Sequence, residues 1–289
     1  MLIGIVCGCS GLLAVLLCGL TGAFESLHWL WVLPAGFLGG VTVLTGVAFL
    51  FIYIASATVK LDVPQEQDSP FFRKMIHLYM DAIITLGRIH IHAQGLEKVP
   101  ADGRFLLVSN HAHDTDPIVL MSVLPDRQLA FISKREVSNM FMVGKLMHKL
   151  LCQPINREND REALKTILKC IQLIKDDQCS VGVFPEGYVH PDRKLHHFRH
   201  GVFKIAQKAK VPIVVCTLKN TRYVYENLAH LRPSELYMNV LEVIPAEQVC
   251  SRTTVELGEY IYNQMAKDLG PELVADSLYK EISKHTDKK

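Results

Sequence analysis

Between Met1 and Val59 the only Asp, Glu, Lys or Arg is Glu25. A run of that length without charge has few destinations other than a lipid bilayer, because so much apolar surface is costly to expose to water. It divides into two stretches, Leu2–Phe24 and about Leu30–Ala57, around the connection Glu25-Ser26-Leu27-His28. Each exceeds the ~20 residues that a helix needs to cross the hydrocarbon layer. Gly36 and Gly40 repeat at the interval that lets two helices approach closely in lipid. Trp29 and Trp31 stand where an interfacial aromatic anchor is expected. A cleaved signal peptide would start with basic residues and carry one shorter apolar core, and neither is present. The expected form is therefore a two-helix hairpin, or one span with a re-entrant helix. The connection has no Lys or Arg, whereas Lys60, Arg73 and Lys74 follow the second stretch. Both ends are accordingly expected on the cytoplasmic side of the cell membrane.

The expected organisation is a membrane-anchoring hairpin over residues 1–60 and a cytoplasmic-face α/β domain over residues 61–289. A net charge of +2 is too small for an obvious nucleic-acid binder. The eight cysteines are scattered without metal-finger spacing, in a chain too large to need disulfide staples, and read as reduced thiols. Pro64, Gln65 and Asp68 to Pro70 read as a linker. In Phe71–Leu86 the apolar stripe Phe72, Met75, Ile76, Tyr79, Ile83 and Ile84 lies beside Arg73 and Lys74. That pattern suits an interfacial helix and an ordinary core helix equally.

Short β-rich runs then alternate with helical periods. Candidate strands are Ile89–His92, Phe105–Ser109, Gln128–Ser133, Val181–Phe184, Ile213–Leu218 and Tyr237–Ile244. Arg161–Ile174 places Leu164, Ile167, Leu168, Ile171 and Ile174 on one helical face, with Asn159 and Glu162 at capping-box spacing. Val202–Lys210 is a shorter helix, and Thr253 with Glu256 opens a last one bearing Val255, Ile261, Tyr262 and Met265. The terminal His285–Lys289 is expected to fray. This alternation predicts an α/β domain with a largely parallel central sheet flanked by helices.

The strand ending at Ser109 runs directly into Asn110-His111-Ala112-His113-Asp114-Thr115-Asp116-Pro117. Asp116 before Pro117 is a helix-start signature, with Asp as N-cap and Pro at the first helical position. His111 then lies in the loop at the carboxyl end of a strand, where open α/β sheets hold their sites. On a regular helix the His111 and Asp116 side chains would point ~140° apart, so they meet only if the loop turns back. A carboxylate holding one imidazole nitrogen leaves the other free to take a proton. A second strand-end turn, Phe184-Pro185-Glu186-Gly187, is expected to expose Glu186 at the same sheet edge. No Gly-x-Ser-x-Gly elbow and no metal-ligand set is evident, and His196-His197 with His200 reads as a polar loop.

In order and spacing, Asn110-His111-x4-Asp116, Pro154-Ile155-Asn156-Arg157, Phe184-Pro185-Glu186-Gly187 and Val211-Pro212-Ile213 resemble the four blocks of the glycerolipid acyltransferases. The nearest group is the 1-acylglycerol-3-phosphate O-acyltransferases. Phe198-Arg199-His200-Gly201-Val202-Phe203-Lys204 resembles the segment between the last two blocks, so the likeness covers roughly Val99 to Pro245. The resemblance implies transfer of an acyl group from acyl-CoA or acyl-carrier protein to a lysolipid hydroxyl, with no cofactor beyond that co-substrate. It implies His111 as general base, Asp116 as its orienter, and Asn110, Arg157, Glu186 and Gly187 as substrate-binding residues. Arg157 would hold the acceptor phosphate, since guanidinium matches phosphate oxygens in a fork.

The third block departs from the family's Glu-Gly-Thr-Arg-Ser: here Tyr188, Val189 and His190 follow Gly187. One expected phosphate contact is lost, which Arg193, Lys194 or Arg199 could replace. Lysophosphatidic acid is the first choice of acceptor, ahead of another lysophospholipid or glycerol 3-phosphate. A membrane thioesterase and a non-catalytic lipid-binding protein are the readings from other classes. The expected partners are acceptor, donor and bilayer, with no nucleic acid.

Overall fold

The computed structural model describes residues 1–275. The frayed terminus expected at His285–Lys289 lies outside the described residues. The chain opens with helices α1 (Leu2–Leu20) and α2 (Trp29–Ala57), joined through a short 3-10 turn at Ala23–Glu25. By length and composition both can cross a membrane, and protein covers only 6% of the most apolar window of α2. They lie antiparallel and close. A Cβ built on Gly40 would stand 3.0 Å from Ser10 Cβ, and one on Gly36 would stand 3.3 Å from Ala14 Cβ. The Gly36/Gly40 interval is therefore the seam of the pair.

There follow α3 (Pro70–Leu86), β1 (Ile89–Gln94), β2 (Leu106–Ser109), α4 (Asp116–Val123), β3 (Leu129–Lys134), α5 (Arg135–Ser138), α6 (Val143–Lys149) and β4 (Gln153–Ile155). The chain continues through α7 (Asp160–Lys175), β5 (Ser180–Val183), α8 (Lys204–Ala209), β6 (Ile213–Lys219), α9 (Val224–Ala229), β7 (Ser234–Ile244), α10 (Ala246–Ser251) and α11 (Thr254–Leu269). The strands form a single sheet in the order β1-β7-β6-β2-β5-β3-β4. Every neighbouring pair is parallel except β6 with β7. The largely parallel sheet is thus present, with β4 added to the six strands read from sequence. Three residues containing a proline give too short a signal to read as a strand.

The central strands are buried on both faces, as helices on either side require. Leu106, Val108, Val181, Val183, Ile213 and Val215 face one core with α7, α8 and α11. Phe105, Leu107, Val214, Cys216, Leu129 and Phe131 face the other with α3, α4 and the last turns of α2.

Several local expectations shift. On α7 the covered face is Ile167, Cys170, Ile171 and Ile174, while Leu164 and Leu168 are exposed. The hydrophobic stripe sits one step round the helix from the face expected. Asn159 does cap α7, accepting from Arg161 and Glu162 N–H, but the Glu162 carboxylate turns away to Asn156. Thr253 and Glu256 form a complete capping box on α11. On α3, Met75 and Ile76 belong to the core. Arg73, expected on a basic flank, is buried and paired with Asp68 at 2.7 Å, and it donates to the Leu129 carbonyl. This cation therefore ties α3 to β3 rather than to solvent. The eight cysteines are all unpaired.

Gly182 in β5 joins this packing to the sheet edge, because a Cβ there would run into the Phe131 ring. Phe131 stacks on Phe184 with centroids 5.6 Å apart, and Phe184 stacks on His111 at 4.1 Å. Gly182→Ala is expected to destabilise the chain by about 1–3 kcal/mol through overpacking. A thermal melt in detergent checks this, and an unchanged midpoint would show that Phe131 has room to move.

Candidate active site

β2 ends at Ser109, and the chain then turns back on itself over Asn110–Thr115 before α4 begins. The loop closes on one carboxylate oxygen. Asp116 Oδ2 accepts from His111 Nδ1 at 2.9 Å, from the Ala112 N–H at 2.8 Å and from the His113 N–H at 2.8 Å. Asp116 is wholly buried. The two side chains that a helix would point apart thus meet across the loop. Asp116 is the first residue of α4, with Thr115 in the cap position. Its carboxylate reaches backward to the loop instead of capping N–H groups within its own helix.

An Nδ1 hydrogen donated to that carboxylate leaves Nε2 as the open nitrogen of His111. The His111 side chain retains 16% of its exposure, so the imidazole is held but reachable. Its ring lies nearly parallel to Phe184. His113, two residues on, is buried, hydrogen-bonded to Thr115 and edge-on to Tyr225. Burial, partly opposed by Asp116 and Asp114, lowers its pKa. Of the two loop histidines, His111 is the more exposed.

Two expected substrate-binding residues serve the scaffold. The Asn110 amide is buried, donating to the Leu218 carbonyl at 2.9 Å and accepting the Leu218 N–H at 2.8 Å. It clamps the end of β2 to β6. Glu186, expected to be exposed, is 2% exposed. Its Oε1 accepts the His111 N–H at 2.7 Å and its Oε2 the His196 N–H at 2.9 Å. The correction has a simple cause: the turn at Phe184–Gly187 folds its carboxyl inward, where it satisfies two loop donors. Burial outweighs those two bonds and raises the Glu186 pKa to about 8.

Gly187 has φ +90, and a Cβ there would meet Arg199 Nε at 3.1 Å. The Arg199 guanidinium therefore lies against the turn, while its backbone N–H donates to the Pro185 carbonyl. Arg157 follows β4 and is half-buried. Burial first, then the neighbouring Arg199, lowers its pKa, with Glu136 opposing. Among the described residues neither guanidinium is paired with a carboxylate. Of the other candidates for the missing third-block contact, Arg193 donates to the Ala112 carbonyl at 3.1 Å and braces the histidine loop. His196 binds Asp192 at 2.9 Å and stacks on His190, and no group of three metal-ligating side chains forms among the described residues. The roles of Phe184, Phe131 and Arg193 carried no sequence signal, because stacking and bracing across the sheet depend on strand order.

Comparison with known proteins shows what this part of the chain is similar to. Residues 90–219 match the family model described as Acyltransferase. A chloroplastic 1-acyl-sn-glycerol-3-phosphate acyltransferase of Brassica napus is 35% identical over 129 residues, covering 44% of this chain and 37% of its own length. The human 1-acyl-sn-glycerol-3-phosphate acyltransferase alpha is 25% identical over 193 residues, covering 66% of this chain and 68% of the relative. The crystal structure of the 1-acyl-sn-glycerophosphate acyltransferase of Thermotoga maritima shares the fold, with a TM-score of 0.57 and 21% identity. That likeness covers 75% of this chain and 85% of the other. The alignment spans well under half the length of the Brassica relative. The His111–Asp116 loop and the Glu186 turn both fall within the stretch, residues 90–219, that is similar to the Acyltransferase family model.

The Glu186 environment has a measurable consequence. The folded chain binds a proton at Glu186 that the unfolded chain has released above about pH 4.5. Its contribution to stability is thus fully present below that pH and is lost as pH rises to about 8. The stability of the wild type relative to Glu186→Gln should therefore fall as pH is raised over that window, as read from melts in detergent. A difference independent of pH would contradict the assignment.

Proposed function

We propose that this chain is a membrane-bound O-acyltransferase that moves a fatty acyl group from acyl-CoA or acyl-carrier protein to the free hydroxyl of 1-acylglycerol 3-phosphate, giving phosphatidic acid. The observation that carries the reading is the 2.9 Å contact of His111 Nδ1 with Asp116 Oδ2, which leaves Nε2 open at the sheet edge. His111 Nε2 takes the proton of the acceptor hydroxyl while that oxygen attacks the thioester carbonyl carbon. As the tetrahedral intermediate collapses, the carbon–sulfur bond breaks. The departing thiolate takes the proton back from the imidazolium. Asp116 stabilises the imidazolium and fixes its orientation, in the manner of other carboxylate–imidazole pairs. No acyl-enzyme is required.

Arg157 and Arg199 supply the phosphate grip. Two guanidiniums held near one another without carboxylate partners favour a dianion between them. Arg199 thus stands in for the third-block Arg whose place Val189 occupies. The likeness to relatives named 1-acyl-sn-glycerol-3-phosphate acyltransferases supports this acceptor. The apolar hairpin supports an anchor that keeps the domain on the cytoplasmic face, beside substrates that stay in the bilayer. The reaction draws on no cofactor beyond the donor thioester.

Transfer of labelled acyl from acyl-CoA to lysophosphatidic acid tests the reading. His111→Ala should lower turnover by about 10²–10⁴-fold. Arg157→Ala should raise the acceptor KM about tenfold or more through loss of a charge-assisted contact. Release of free fatty acid without any lysolipid-dependent product would instead identify a thioesterase.

A further inference from the structure

The segment between α5 and α6 is built to project apolar side chains. Met142 has φ +62 and ψ −50, and the Val143 N–H bonds to the Phe141 carbonyl at 2.6 Å. These are the marks of a γ-turn with positive φ, a rare and strained conformation for a residue with a side chain. The neighbouring Gly144 admits no Cβ, which would run into the Ser138 carbonyl. The turn presents Phe141, 78% exposed, with Met140 at 53% and Val143 also exposed. Such a cluster of large apolar groups on a strained tip is costly in water.

Its position indicates what covers it. Phe141 touches Tyr53 of α2, with ring centroids 5.9 Å apart. One turn or less before Tyr53, Phe51 of α2 meets Phe71 at 6.4 Å, and both are exposed. The hairpin fixes the depth of these contacts. Gly40 opposite Ser10 and Gly36 opposite Ala14 set a register that brings the start of α1 level with about Ala48. The 19 residues of α1 span ~28 Å, which matches a hydrocarbon core ~30 Å thick. The core boundary therefore falls near Ala48, where the Tyr79 hydroxyl donates to the Ala48 carbonyl at 2.5 Å. Tyrosines favour that boundary. Tyr53 lies five residues farther on, ~7 Å along the helix, which is the depth of the headgroup layer. Lys145 of α6 follows the turn by two residues and adds positive charge next to it in the chain.

We propose that the Met140–Val143 turn is a second membrane contact, which enters the headgroup layer beside the end of α2 and fixes how the acyltransferase domain faces the bilayer. The proposal rests on the hairpin being membrane-embedded. Its occupant is the lipid surface itself, because the tip is continuous with a helix long and apolar enough to cross it. The domain is then held at two points, so its catalytic edge keeps a constant tilt towards lipid-borne substrate.

The test uses the full chain reconstituted in phosphatidylcholine–phosphatidylglycerol vesicles whose acyl chains carry bromine quenchers at a chosen depth. The wild-type tryptophans are Trp29 and Trp31, both in the hairpin. Phe141→Trp is made in a Trp29→Phe/Trp31→Phe background, beside Val255→Trp in the same background as a comparator on exposed α11 across the sheet. Bromines near the headgroup should remove about half or more of the emission at position 141. They should quench it more than bromines near the chain end, and position 255 should be spared. Quenched wild type with unquenched Phe141→Trp would overturn the tip and leave the hairpin standing. Unquenched wild type would overturn the membrane-embedded hairpin, and the tip with it.

Discussion

One buried carboxylate oxygen sets the conformation of the whole loop between β2 and α4. Asp116 Oδ2 gathers the His111 ring N–H and two successive backbone N–H groups, and together they bend six residues into a closed turn. A neutral acceptor could satisfy the backbone donors. Only a carboxylate also stabilises the charge that His111 would acquire when it takes a proton. The orientation of the imidazole and the shape of the loop are therefore a single property. Neighbouring groups extend it: Glu186 holds the His111 N–H, Arg193 holds the Ala112 carbonyl, and Asn110 fixes the root of the loop to β6.

Much of this architecture is legible in the chain. The apolar leader, the alternation of strands with helical periods and the Asp-Pro helix start are local patterns, and local patterns are read directly. The meeting of His111 with Asp116 was readable as a condition, since the spacing excludes it on a helix and allows it in a reversing loop. The inward turn of Glu186 was not. A Phe-Pro-Glu-Gly turn specifies a bend, and whether its acid points out or in depends on donors from β2 and from His196, far away in sequence. Asn110 is the same case: its clamp needs Leu218, 108 positions on. Side chains that serve the scaffold through long-range partners look, in sequence, like side chains that serve substrate.

The departure in the third block becomes intelligible in the same terms. In the proposed reading, Val189 at the family's Arg position would leave Arg157 as the one guanidinium for the acceptor phosphate. The Arg199 backbone is tied to Pro185, and Gly187 leaves room for its side chain, which is why the proposed reading gives Arg199 that charge.

If the carboxylate acts only through the imidazole, the two groups form one catalytic unit and their losses cannot add. Acyl transfer to lysophosphatidic acid by His111→Ala, Asp116→Asn and the double variant decides this. The account predicts that the double variant is no slower than His111→Ala alone. Losses that multiply would show Asp116 working independently of His111, and would contradict it.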